Sequence, residues 1–286
     1  MSWQPISIIG IAVAFYLGFK NNSSYDRTWE ARKIWGSIVN NSRSFASATI
    51  AFVQGERASS IQKELIYRHL AWLTALRHQL RLSREWEHLE SRLNKIYSPT
   101  VCEDYNNKLG TELQAFLSDE EIRSYQGKTN IATQILAKQS TRLQELRDQD
   151  YFEDFRHMEF HHLVVALLEN QGQSERIKNF PFPRQYASTA LWLTLVFAVF
   201  VPFGLLDVVA SPTLLSYLFC SLLSGLLIWI FFLIEKIGDY SENPFEGSYN
   251  DIPITSISRA IEIDLREMIH DENIPPALQP ENGFLM

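Results

Sequence analysis

The sequence predicts an all-α, helical membrane protein: a transmembrane helical hairpin, one further apolar helix and a large cytoplasmic helical region. Three observations predict it. Residues 1–19 carry no charged side chain, and between Arg184 and Glu235 only Asp207 is charged. Elsewhere apolar residues return every third or fourth position, the period of a single helix face. Strand-like alternation is absent over any useful length. The mean hydropathy of -0.12 looks soluble only because the average mixes charge-free segments with strongly charged ones.

In chain order, residues 1–19 form the first apolar helix. A signal peptide would need a basic start and a small-residue cleavage site, whereas this segment has neither and runs into an aromatic and charged stretch. Residues 20–184 form the cytoplasmic helical region. Ile34, Ile38, Phe45, Ile50 and Val53 mark one amphipathic stretch, and Ile61, Leu65, Leu73, Leu76 and Leu80 another. "RLSREWEHLESRLNKIY" and "KTNIATQILAKQSTRLQELRDQ" read as charged helices, with "YSPTVCEDYNNKLG" between them as an exposed insertion. A helix around "FRHMEFHHLVVALLENQGQSERI" runs to a break at Pro181 and Pro183, where the ring removes a backbone donor and restricts the residue before it.

Residues 185–234 form the hairpin. Each half is long enough to cross a hydrocarbon core of ~30 Å at about 1.5 Å per residue, and Asp207 with Ser211-Pro212 marks the solvated turn. Residues 235–270 are a turn-rich linker and an amphipathic helix, capped by Thr255 and presenting Ile257, Ile261, Leu265, Met268 and Ile269. Residues 271–286 have the composition of a disordered tail. Lys20, Arg27, Arg32 and Lys33 flank the first helix, and Lys178, Arg184 and Lys236 flank the open side of the hairpin. Basic flanks stay in the cytoplasm, so residues 20–184 and 235–286 are expected inside, in a multi-pass protein of the cell membrane. That places the start of residues 1–19 at the outer face, and an additional helix is expected upstream.

The net charge of -7 argues against nucleic acid, which calls for a basic footprint. Cys102 and Cys220 lie in a polar loop and an apolar run, an arrangement that reads as two free thiols rather than a disulfide framework. No phosphate loop, dinucleotide fingerprint, nucleophile elbow or zinc-protease motif occurs, and neither an enzyme nor a cofactor is expected. His157 and His161 stand four apart near His162, Glu153 and Glu159. Without further ligands at sensible spacing they read as a solvated or inter-subunit helix face rather than a metal site.

"GIAVAFYLGFKNNSSYDRTWEARKIWG", residues 10–36, differs in kind. Ile11, Phe15 and Phe19 advance by about 40° per step on an ideal helix and so form one slowly winding apolar stripe. Packing in lipid would account for such a stripe alone. The stripe, however, ends at Asn21, Asn22, Tyr25, Asp26, Arg27, Trp29, Glu30 and Arg32 within twelve residues. Asp26, Arg27, Glu30 and Arg32 are expected to form a buried ion-pair and hydrogen-bond network where helices meet.

The run "LGFKNNSSYDRTWEARKIWG" resembles the signature of the bacterial bestrophins. Leu17, Gly18, Phe19, Asn21, Asn22, Tyr25, Asp26, Arg27, Trp29, Glu30, Ala31, Arg32, Trp35 and Gly36 match, while Lys20 stands for arginine and Thr28 for the first tryptophan. "IGDYSENPFEGSYNDIPI", centred on Asn243-Pro244-Phe245, is similar to the family's segment after its last membrane helix. The resemblance implies a homopentameric ion channel for small monovalent ions, chloride and other anions above all. It implies that Ile11, Phe15 and Phe19 form the narrow neck of an axial pore, with the polar residues at its cytoplasmic exit. Bestrophins also have an N-terminal membrane helix before this one, which again implies an upstream helix. Eukaryotic members carry a run of aspartates after Asn-Pro-Phe that helps bind calcium. Here only Glu246 and Asp251 stand in that segment, so calcium control of that type is not implied.

Two other readings remain open at the level of sequence. A non-conducting scaffold or sensor would explain the hairpin and a partner-binding helical body, though not the match of the stripe. A membrane enzyme would have to use His157, His161 and Glu159. The partners expected are membrane lipid, permeant ions and further copies of the chain.

Overall fold

The computed structural model describes residues 3–85, 87, 108–208, 213–248, 251–280 and 285. Among them the regular structure is helical: α1 Trp3–Phe52, α2 Ala58–Arg81, α3 Leu109–Leu113, α4 Asp119–Ser124, α5 Ile131–Asp148, α6 Asp154–Asn179, α7 Arg184–Val208, α8 Leu214–Tyr240 and α9 Ile254–Met268. The chain divides into two compact units, Met1–Trp29 with Phe180–Pro244, and Glu30–Asn179 with Phe245–Met286. Most of the expected charged helix at 81–97 and most of the insertion around 97–110, with Cys102, lie outside the described residues, as does Ser211-Pro212.

Among the described residues three helices are long and apolar enough to cross a membrane, and the first unit holds two of them, α7 and α8, with the first part of the third, α1, as far as Trp29. Their shared core is Ile6, Val13, Leu17, Ala190, Phe197, Val201, Leu205 and Cys220. Two glycines permit close approach. A Cβ at Gly10 would stand 2.8 Å from the Phe197 ring, and one at Gly204 would stand 2.6 Å from Ile6 Cδ1. Small residues at such crossings let apolar helices pack by van der Waals contact, which is the attraction available to them in lipid. α8 starts at Thr213, whose hydroxyl accepts from the Ser216 amide at 3.2 Å. It runs to Tyr240, so residues 235–240, expected as the start of the linker, are its last turns.

In the second unit α2 is the central helix, and it is buried almost continuously from Arg68 to His78. α3, α5, α6 and α9 pack around it. Burying α2 on all sides requires partners for its polar groups. Trp72 Nε1 donates to Gln171 Oε1 at 2.9 Å, and Gln171 Nε2 donates in turn to Thr133 and Glu175, both at 2.7 Å. Arg68 bonds both Glu121 carboxylate oxygens, at 2.8 and 2.9 Å. His69 lies 2.9 Å from the Ser42 hydroxyl, and its burial pulls its pKa down to about 3, so the imidazole is neutral there. The carbonyls at the end of α1 are met by Gln62, which donates to Ile50 and Val53 at 3.2 and 3.1 Å.

α9 presents the expected face, with Ile261 and Leu265 buried and Ile257, Met268 and Ile269 packed against the same core. Its cap differs from expectation. The helix starts two residues earlier, with Pro253 at the N-cap and Thr255 buried inside the first turn, because the proline ring already supplies a preset backbone angle. The segment after α9 begins at a fixed point: Asp271 accepts from Tyr67 at 2.5 Å and from Lys63 at 3.3 Å.

Candidate pore-lining helix and its anchor

The first half of α1 has two unlike sides. Ile6, Val13, Leu17, Lys20 and Ser24 are buried within the first unit. Ile11, Phe15 and Phe19 are 70, 68 and 58% exposed, with Ile8 exposed beside them. The Phe15 and Phe19 rings meet edge to face, centroids 4.6 Å apart. A helix period near 3.6 residues puts the 6-13-17-20-24 positions on one face and 11-15-19 on another, so the fold of a single chain leaves the aromatic stripe uncovered. Tyr16, Phe19, Phe182, Pro183 and Tyr186 border a cavity of about 500 Å³ in the same unit.

Immediately after the stripe, α1 is anchored to the end of α8. Lys20 is 1% exposed, with its Nζ 2.9 Å from Glu235 Oε1 and 3.5 Å from Asp239 Oδ1. Lys236 meets the same two carboxylates, at 3.5 and 2.9 Å. Asn21 Nδ2 donates to the Ile234 carbonyl at 3.1 Å. Its Oδ1 fills the space a Cβ would take at Gly238, 2.1 Å away. One turn further, Arg27 Nε donates to the Glu242 carbonyl and the Thr28 hydroxyl to that of Ser241, both at 2.9 Å. Cationic and donor groups at the last carbonyls of a helix complement its dipole and satisfy acceptors the helix leaves open.

The polar residues predicted together take different partners. Asn22 donates to Asp26 at 3.4 Å on the exposed side. The Trp29 ring stacks on that of Tyr25, centroids 6.3 Å apart. In the second unit, Glu30 accepts from Arg176, Arg32 is exposed, and Trp35 is fully buried. Of the expected network, Asp26 accepts from Asn22 within α1, Arg27 also reaches the Glu242 carbonyl, and Glu30 accepts from Arg176. Neighbours in helix sequence do not face one another, so Asp26 and Arg27 point apart.

The segment after Asn-Pro-Phe is also closed internally. Asp251 pairs with Arg81 at 3.0 Å and accepts from the Gly247 amide at 2.5 Å and the Ser248 hydroxyl at 2.7 Å. Arg81 also donates to the Ile252 carbonyl at 3.1 Å. Burial pushes the Asp251 carboxyl up to about 6, against the pull of Arg81. A carboxylate already committed to a guanidinium, an amide and a hydroxyl does not fit a calcium ligand, which needs open oxygens around the ion. His157, weighed as a metal ligand, stacks on Phe152 at 6.4 Å between centroids.

Comparison with known proteins decides the family. The family model of the bacterial/fungal bestrophin protein matches residues 1–267. The chain belongs to the bestrophin family. It is 28% identical to the voltage-dependent anion channel-forming protein of Ralstonia nicotianae, across 96% of this chain and 79% of that protein. It is 29% identical to a protein of the same description from Nostoc sp., across 93% of this chain and 78% of that one. The crystal structure of a bacterial bestrophin homolog from Klebsiella pneumoniae shares the fold, with a TM-score of 0.80 at 21% identity, covering 96% of this chain and 89% of that one. This bestrophin is thus a membrane protein, and both of its departures from the bacterial signature, Lys20 and Thr28, are among the residues that tie α1 to the end of α8.

Sequence reasoning gave no role to Glu235, Gly238 and Asp239 and read Lys236 only as a basic flank. "EKIGDY" gives one signal in hindsight: acids four apart on an apolar helix that has no charge for twenty residues before them.

Proposed function

We propose that this bestrophin is one subunit of a homopentameric channel that passes chloride and other small monovalent anions across the cell membrane. The observation that carries the reading is the exposed stripe of Ile11, Phe15 and Phe19 on a helix whose other side is packed. Five copies around an axis turn each side chain into a ring. Three apolar rings make a constriction that dewets when narrow and passes ions when dilated, and the cavity bordering Phe19 leaves room for dilation. The positive edges of phenyl rings favour anions, and the relatives described as anion channel-forming proteins support that choice. Asn21, Asn22, Asp26, Arg27, Trp29, Glu30 and Arg32 stand at the pore exit and hold it in place. The basic flanks keep residues 20–184 and 235–286 in the cytoplasm. A non-conducting scaffold would share the helices but gives no role to the stripe.

Purified protein in planar bilayers tests this. Anion current with reversal potentials that follow the anion gradient is the expected result. An intact oligomer that carries no current contradicts the reading.

A further inference from the structure

Lys20, Glu235, Lys236 and Asp239 close a ring of four ion pairs, each lysine within 3.5 Å of both carboxylates. Glu235 and Asp239 are four apart on α8 and so share a face. Lys20 is the only charge among residues 1–25, and it is the sole contribution of α1 to the ring. Side-chain exposure falls from 37% at Lys236 and 16% at Asp239 to 2% at Glu235 and 0% at Lys20, so the ring grades from a half-open rim to a buried end. Beside it, Asn21 occupies the space that Gly238 leaves free. Charge and shape therefore fix two consecutive residues of α1 against one turn of α8.

We propose that this ring is a latch that sets the rotational position of α1 and thereby aims Phe19, which makes its four members positioning residues of the pore. The proposal rests on the channel reading given above. Phe19 precedes Lys20 by one residue, about 100° around the helix, so a turn of α1 that moved Lys20 off its carboxylates would swing the ring of Phe19 by the same angle. Apolar packing alone tolerates such a turn, because many rotations bury similar area. A buried ion pair does not. Such pairs add little stability over apolar residues of the same size, and their best-attested use is fixing register.

The test compares single-channel currents and thermal midpoints of the reconstituted oligomer. Lys20→Arg should conduct as the unmodified protein does. An apolar pair, Lys20→Met with Glu235→Leu, should keep the oligomer and its thermal midpoint. Its conductance should shift by roughly threefold or more, or split into several levels, as rings of Phe19 lose their fixed aim. Exchange of the charges, Lys20→Glu with Glu235→Lys, should conduct more like the unmodified protein than either single change does. If the apolar pair does not assemble, the exchange decides: no improvement over the single changes overturns the latch. An assembled apolar pair with unaltered currents overturns it as well and leaves the channel reading standing. Absence of current from the unmodified protein overturns both.

Discussion

At Asp251, burial among Arg81, Gly247 and Ser248 moves the carboxyl up from its ordinary value to about 6. A group whose folded pKa is raised contributes stability that is fully present below its unfolded pKa and lost as pH rises through the folded one. For Asp251 that window runs from about pH 4 to somewhat above 6. Glu112 and Glu121 shift the other way, held down by Arg77 and His78 and by Arg68 and Tyr125 against the upward effect of their burial; their stabilisation fades only at lower pH. Between pH 7 and 5, therefore, acidification should raise the thermal midpoint of the detergent-solubilised protein through Asp251. Asp251→Asn should flatten that rise; an unchanged slope would mean that the carboxyl titrates elsewhere. At this scale the sequence was least informative. The signature named Asp251 as an acid in a loop, but its partner Arg81 stands 170 residues away. Lys20 likewise meets Glu235 across 215 residues, and no local pattern announces such a pair.

The elements were far more legible than their ends. α2 and α9 follow from apolar spacing, and the hairpin from the absence of charge, because burial in core or lipid imposes those patterns directly. Continuity of α1 through Phe52 was not legible. The change from apolar to polar at Lys20 marks a change of surroundings, and nothing in Glu30-Ala31-Arg32-Lys33 breaks a helix. The last turns of α8 were missed for the same reason. Gly238 and Gly225 show how packing rather than propensity decides a position. A Cβ at Gly238 would drive out the Asn21 amide and its bond to Ile234, whereas one at Gly225 meets nothing within 4 Å. Gly238→Ala should cost about 1–3 kcal/mol. Gly225→Ala should be neutral or stabilise by up to about 1 kcal/mol. Thermal midpoints in detergent check the order, and a reversed order would place the α1–α8 contact elsewhere.

For the molecule as a whole, the sequence alone supports a membrane protein with a helical body, and the matched family supplies the rest of the argument. Copy number is not written in any single chain, because a symmetric interface needs only a surface that its own fold leaves open. The stripe of Ile11, Phe15 and Phe19 is such a surface. The most direct test is the single-channel conductance of the variant Ile11→Ala, Phe15→Ala, Phe19→Ala, measured beside the unmodified protein with oligomer mass checked by light scattering. A dewetting neck predicts a pentamer that still assembles, conducts more, and discriminates less among anions of different hydration, with the two phenylalanines contributing more than the isoleucine. An intact pentamer with unchanged conductance and selectivity would mean that these side chains do not line the pore.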